Sequence, residues 1–162
     1  LNKLKEKGFF CFHEVSRDVT LKAQNKGIEQ LFLTEPLLFS EMLSEGREEQ
    51  FLSAEKIEES VIFFDRGIPD VHAYMNYFKT EFPATFLEKS KHYKYDIIIH
   101  FSPWKEIHIT DNERYETFEE SSIIDTFLLS AYSKLGYKII NVPFGPVDER
   151  TNFIINLLSC KL

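Results

Sequence analysis

Four short apolar runs limit what this chain can fold into. They are Phe9-Phe10-Cys11-Phe12-His13, Val61-Ile62-Phe63-Phe64, Tyr95-Asp96-Ile97-Ile98-Ile99-His100 and the stretch from Tyr137 to Val142. Within each run the apolar residues are largely consecutive rather than alternating with polar ones. A strand that meets solvent on one face alternates, whereas one covered on both faces does not. Longer stretches with helical signals separate the runs. Covered strands alternating with helices predict an α/β fold with a mainly parallel sheet.

The intervening segments carry recognisable starts and stops. Leu1 to Gly8 reads as the last turns of a helix, with Leu1 and Leu4 on one face and Gly8 as the stop. Asp18 to Gln30 is polar and ambiguous between helix and loop. Thr34 as cap and Pro36 in the first turn predict a helix reaching about Lys56. Leu37, Leu38, Met42, Leu43, Phe51 and Ala54 would form much of its buried stripe, with Gly46 a weak point. A helix carrying Val71, Tyr74 and Phe78 is expected after Gly67, and another over Pro83 to Ser90. Thr110 with Glu113 forms a capping-box pattern that predicts a helix to about Lys134, ended by Gly136. A final helix opens at Val147 or Asp148, with Val147, Phe153, Ile154, Leu157 and Leu158 on or near its buried side.

Length and composition bound the rest. The 162 residues with 43% apolar content suit one domain with a real core. A net charge of -7 disfavours nucleic acid as the main ligand, because that requires a basic footprint, yet it leaves room for a local basic pocket. Cys11 and Cys160 lack metal-site spacing, and Cys11 reads as a core residue. No apolar stretch approaches the roughly 20 residues that span a bilayer. A cytoplasmic protein is expected, and a homodimer is open.

Open parallel sheets bind ligands beyond the carboxyl ends of their strands. Glu14 and Arg17 follow the first run, Asp65 and Arg66 the second, Ser102, Pro103 and Trp104 the third, and the Pro143–Pro146 turn the fourth. A carboxylate placed after four buried apolar residues is costly unless paired or bound to an ion, so Asp65 is either a magnesium ligand or a salt-bridge and capping residue. Arg66 either meets phosphate or carboxylate oxygens or pairs with Glu14 or Asp70. Glu14 and Arg17 either serve an acceptor or form an ion pair. Arg114, near the start of a helix where the dipole disfavours a cation, either reaches over a phosphate or pairs with nearby acids. Arg47 and Arg150 are weaker candidates, and Trp104 is either pocket wall or loop anchor. His13, His72, His92, His100 and His108 show no zinc spacing; His13 and His100, each ending a strand, are expected to satisfy local hydrogen bonds. Nothing marks a nucleophile elbow.

Taken together, several stretches resemble one family. They are Glu14-Val15-Ser16-Arg17, Val61 to Asp70 with Ala73-Tyr74, Tyr95-Asp96, Pro103-Trp104 and Asp111-Asn112-Glu113-Arg114 with Phe118-Glu119-Glu120. Ala131-Tyr132, Leu135-Gly136-Tyr137, Val142-Pro143, Arg150 and Phe153-Ile154 complete the set. The chain resembles the small P-loop ATPase and kinase-like proteins carrying the AAA-domain label, close in plan to nicotinamide riboside kinases and nucleoside kinases. The resemblance implies a three-layer P-loop NTPase fold of kinase-like strand order across residues 1–162. It implies ATP or GTP with Mg2+ as cofactors and a small-molecule acceptor, hence a kinase or NTPase. Asp65 matches the Walker B carboxylate, with Glu14 beside it as metal or acceptor ligand. Arg114 matches a lid-side arginine, so Glu14, Asp65 and Arg114 are the expected catalytic residues; Arg17, Arg66, Asp70, Arg47 and Trp104 are expected at the acceptor, and Arg114 and Arg150 at the nucleotide.

One departure stands out. Such proteins carry a phosphate loop of the form G-x-x-x-x-G-K-S/T, and no such run occurs among these residues. The expectation is that the opening strand and its loop lie upstream of Leu1, since losing a central strand would unpair its neighbours. The alternative is a divergent protein without the loop.

Overall fold

The structure is a computed structural model that describes residues 1–25, 27–28, 31–108 and 116–159. The chain forms two compact units, Leu1–Lys94 and Tyr95–Leu162.

In the first unit the order is α1 (Asn2–Glu6), β1 (Phe10–Phe12), α2 (Val15–Gln24), α3 (Leu31–Thr34), α4 (Pro36–Ala54), β2 (Ile62–Phe64), α5 (Ile68–Tyr77) and α6 (Thr85–His92). β1 and β2 pair in parallel, with Phe10 opposite Ile62 and Phe12 opposite Phe64. The Phe12 and Phe64 rings stack at 5.2 Å between centroids. Phe51 of α4 lies next, 6.2 Å from Phe64, and Tyr93 lies 5.3 Å from Phe51. On the helical side, Val15, Val19 and Ala23 of α2 join Leu31, Leu43, Val71, Met75 and Phe86 in one core. Burying each large apolar side chain contributes about 1.5–3 kcal/mol.

The second unit contains β3 (Ile98–His100), a short 3-10 turn over Lys105–Ile107, α7 (Phe118–Lys134), β4 (Ile139–Asn141) and α8 (Val147–Ser159). β3 and β4 again run parallel, Ile98 opposite Ile139 and His100 opposite Asn141. Ile124, Ala131, Val142, Ile154 and Leu158 supply its buried apolar residues.

The α/β alternation and the parallel pairing therefore match expectation. Among the described residues each sheet has two strands of three residues, so the three-layer arrangement is not reproduced as such. The strand residues are half-buried rather than fully covered, and Phe10 at the β1 edge is exposed.

Several local expectations need correcting. Thr34 does not cap α4; it closes α3, and Glu35 is the residue before Pro36. The buried stripe of α4 is Ser40, Leu43, Ser44 and Arg47, while Leu37 and Leu38 face solvent. Helical spacing fixes which residues share a face, but the partner decides which face is covered. Here the covered face is mostly polar: Ser40 donates to Met75 Sδ at 3.0 Å, and Arg47 is engaged as described below.

Gly46 is a close-packing position rather than a weak point. A Cβ built there would lie 2.5 Å from Val15 Cγ1, so the missing side chain lets α4 approach α2. Thr110 and Glu113 lie outside the described residues. α7 begins at Phe118, capped by Thr117, whose Oγ1 accepts from Glu120 N–H while Glu120 accepts from Thr117 N–H. Val147, expected on or near the buried side of the last helix, is exposed. The glycine stops are as expected: Gly8 and Gly136 both take φ near +90°, where side chains are strained.

Candidate functional site

The predicted charges of the first unit meet at the carboxyl ends of β1 and β2. Asp65 N–H donates to Phe12 C=O at 3.0 Å, continuing the parallel ladder one residue past Phe64. Glu14, two residues past β1, stands immediately before α2 as its N-cap residue. Its Oε1 accepts from Arg47 at 3.2 Å, and its Oε2 faces Arg66 Nε at 3.9 Å. Arg66 also reaches Asp70 Oδ2 at 3.4 Å, and Asp70 is buried in the first turn of α5. Arg47 spends its other terminal nitrogen on Gly67 C=O at 3.0 Å. Two acids and two arginines thus form one chain of contacts across β1, β2, α4 and α5.

The two arginines differ in kind. Arg47 is only 4% exposed; its two terminal nitrogens are paired and hydrogen-bonded, whereas its buried Nε has no hydrogen-bond partner among the described residues. Arg66 keeps 37% of its side chain exposed. Its backbone has φ +73°, a left-handed value that costs a non-glycine residue energy and is enriched at functional turns. Burial works against its charge. The Tyr74 phenol once ionised, then Asp70, Glu14 and Asp65, outweigh that effect and hold the guanidinium protonated beyond the ordinary arginine range. Solvent screens these attractions at so exposed a group, so they position the side chain more than they stabilise the fold.

Asp65 makes no side-chain hydrogen bond or ion pair among the described residues, and its charge acts on Arg66; its backbone N–H continues the ladder at the end of β2. Arg17 lies on the exposed side of α2, one turn after Glu14. No cluster of three or more metal-ligating side chains occurs among the described residues. Magnesium does not need one, because it is commonly held by one or two carboxylates together with phosphate oxygens and water. Asp65 fits that donor set. An open groove of about 310 Å³ between α2 and α4 is lined by Val15, Asp18, Lys22 and Glu49 among others, and none of the predicted site residues borders it.

The second unit carries a different set at its strand ends. Trp104 stacks on Phe144 at 5.1 Å. The Arg150 guanidinium lies 5.9 Å from the Trp104 ring and 5.8 Å from that of Phe101. Arg150 Nε is buried and lacks a hydrogen-bond partner among the described residues. Sequence reading singled out Trp104 and Arg150 but missed Phe101 and Phe144 as their neighbours; both follow strand ends, which was the available signal. His100 Nε2 contacts Asp125 Oδ1 at 2.6 Å, and Nδ1 contacts Asn141 Oδ1 at 2.7 Å. The Asp125 hydrogen bond raises the His100 pKa; burial opposes this and Asn141 assists it. The local role expected for His100 is as seen, whereas Asp125 carried no sequence signal. Arg114 lies outside the described residues.

Charged groups gathered beyond the carboxyl ends of parallel strands stand where open α/β sheets bind their ligands. A family model described as AAA domain matches residues 1–150, and the chain belongs to that family. No curated protein matches it, and neither does any solved structure. No helix among the described residues is long and apolar enough to cross a membrane.

Proposed function

We propose that this protein is a magnesium-dependent phosphotransferase that moves a phosphoryl group from a nucleoside triphosphate to a small nucleoside-like metabolite. The observation that carries the reading is the linked set Arg47–Glu14–Arg66–Asp70 at the ends of β1 and β2, with the Asp65 carboxylate one residue past β2. Family membership supports nucleotide binding and ATPase-like chemistry. The acceptor rests on the charges alone.

In this reading Asp65 holds the magnesium shell, with Glu14 near it. The ion would offset charge on the transferring group. Glu14 orients or deprotonates an acceptor hydroxyl through the oxygen not occupied by Arg47, as a general base in reach of the proton. Arg66 and Arg17 offer cations to the acceptor, and Asp70 keeps Arg66 aimed. Arg114 offsets phosphoryl charge. No phosphate-cradling loop of the form G-x-x-x-x-G-K-S/T occurs among these 162 residues.

The test is ADP release by the full-length protein with magnesium and ATP or GTP, with and without a panel of nucleosides. Release that requires an added nucleoside supports phosphotransfer. Release at the same rate without one assigns water as the acceptor and rejects the kinase reading. Nucleotide binding with no turnover would make the protein a regulatory one.

A further inference from the structure

We propose that Arg47 is a positioning residue that dictates which oxygen of Glu14 is free to act, a role that rests on the phosphotransfer reading above. The sequence placed Arg47 among the substrate-binding cations. Its burial speaks for another job. It is 4% exposed, so a ligand in solvent has little access to it. Its two terminal nitrogens are spent inside the protein, one on Glu14 Oε1 at 3.2 Å and one on Gly67 C=O at 3.0 Å.

Those two contacts join the segments that carry the chemistry. Glu14 belongs to the turn after β1, and Gly67 closes the Asp65-Arg66-Gly67 turn after β2. One turn further along α4, Gln50 donates to His13 C=O at 2.7 Å, so the same helix grips the end of β1 twice. A planar guanidinium can serve two acceptors at a fixed angle, which a lysine ammonium on a flexible stem cannot reproduce. The carboxylate of Glu14 is therefore clamped at Oε1. Oε2 is presented toward Arg66 with 30% of the side chain exposed. A buried cation of this kind does not touch substrate; it sets the geometry of the group that does.

The test uses the full-length protein in Mg-ATP turnover with the nucleoside panel, and a double-substitution cycle. Arg47→Lys is expected to lower kcat by about 100-fold with the KM for ATP unchanged, the scale on which a misplaced reacting group costs rate. Glu14→Gln alone should lose about as much or more. The double variant should be no worse than Glu14→Gln, because Arg47 acts through Glu14. Losses that multiply, or a wild-type kcat in Arg47→Lys, overturn the proposal.

Arg47→Met guards against misfolding of a single variant, since it keeps the volume without the charge. Urea midpoints of the same set provide a readout independent of turnover. Coupled midpoint shifts for Arg47 and Glu14 support the clamp, and additive shifts overturn it. A wild-type protein that binds nucleotide but turns nothing over defeats the phosphotransfer reading instead, and the midpoint cycle still decides whether Arg47 holds Glu14.

Discussion

The two units end their parallel strands in different chemistry. Past β1 and β2 lie full charges, with Glu14, Arg47, Arg66 and Asp70 in contact and Asp65 beside them. Past β3 and β4 lie aromatic rings around one guanidinium, Phe101, Trp104 and Phe144 with Arg150, while the last residue of β3, His100, is held between Asp125 and Asn141. The backbone plan is the same in both: a three-residue parallel pair flanked by helices. The difference teaches that the sheet supplies a place, and that the residues following each strand, together with those the helices bring to them, decide what the place does. Charges suit phosphoryl and metal chemistry, whereas flat rings and a delocalised cation suit recognition of a planar surface.

Four substitutions sharpen or break this contrast. The largest effect is expected from Glu14→Gln in the first unit: magnesium-dependent turnover should fall on the order of 100-fold or more, since general-base contributions have that scale, and the urea midpoint should fall as well, because the buried Arg47 loses its carboxylate partner. Unchanged turnover in a steady-state ADP assay would remove the chemical role from the charged strand ends.

Next comes Gly46→Ala. With a new Cβ 2.5 Å from Val15 Cγ1, α4 and α2 must separate, at a cost of about 1–3 kcal/mol in denaturant unfolding. Val15→Ala in the same chain should recover part of that loss. Full tolerance of Gly46→Ala would mean that the helix packing described for the first unit is wrong.

The third concerns pH in the second unit. The folded-state pKa of His100 is raised, first by its hydrogen bond to Asp125. A raised pKa means that the stability from this contact is fully present below the unfolded value, about 6.5, and is lost as pH rises through the folded value. Asp125→Asn should lower the His100 titration seen by NMR and flatten the dependence of melting temperature on pH above about 6.5. An unshifted titration would show that the Asp125 hydrogen bond does not raise the His100 pKa.

The smallest effect is expected from Thr117→Ala, which removes one half of the capping box at α7 and should cost about 1 kcal/mol, read from amide exchange in the first turn of α7.

The parallel α/β plan was legible because consecutive apolar residues leave few alternatives to a covered strand. The strand ends followed from it, and so did Glu14, Asp65 and Arg66. What stayed hidden depends on contacts distant in sequence. Nothing local distinguishes a buried Arg47 from a solvent-facing one; only the approach of β1 and the Gly67 turn settles it. Gly46 looked like a flaw because helix propensity ignores the neighbouring helix that needs the space. The capping signal at Thr110 resembled the one that α7 uses at Thr117, seven residues later, and spacing alone could not rank them.

Asp65 gives the most direct measurement of the central claim. Binding of a fluorescent ATP analogue to the full-length protein should be titrated with magnesium, for the wild type and for Asp65→Asn. Nucleotide affinity that rises with magnesium in the wild type, and a magnesium requirement shifted upward by about 10- to 100-fold in Asp65→Asn, is the outcome predicted for a metal-holding carboxylate at the β2 end. Identical magnesium curves for the two proteins would contradict it.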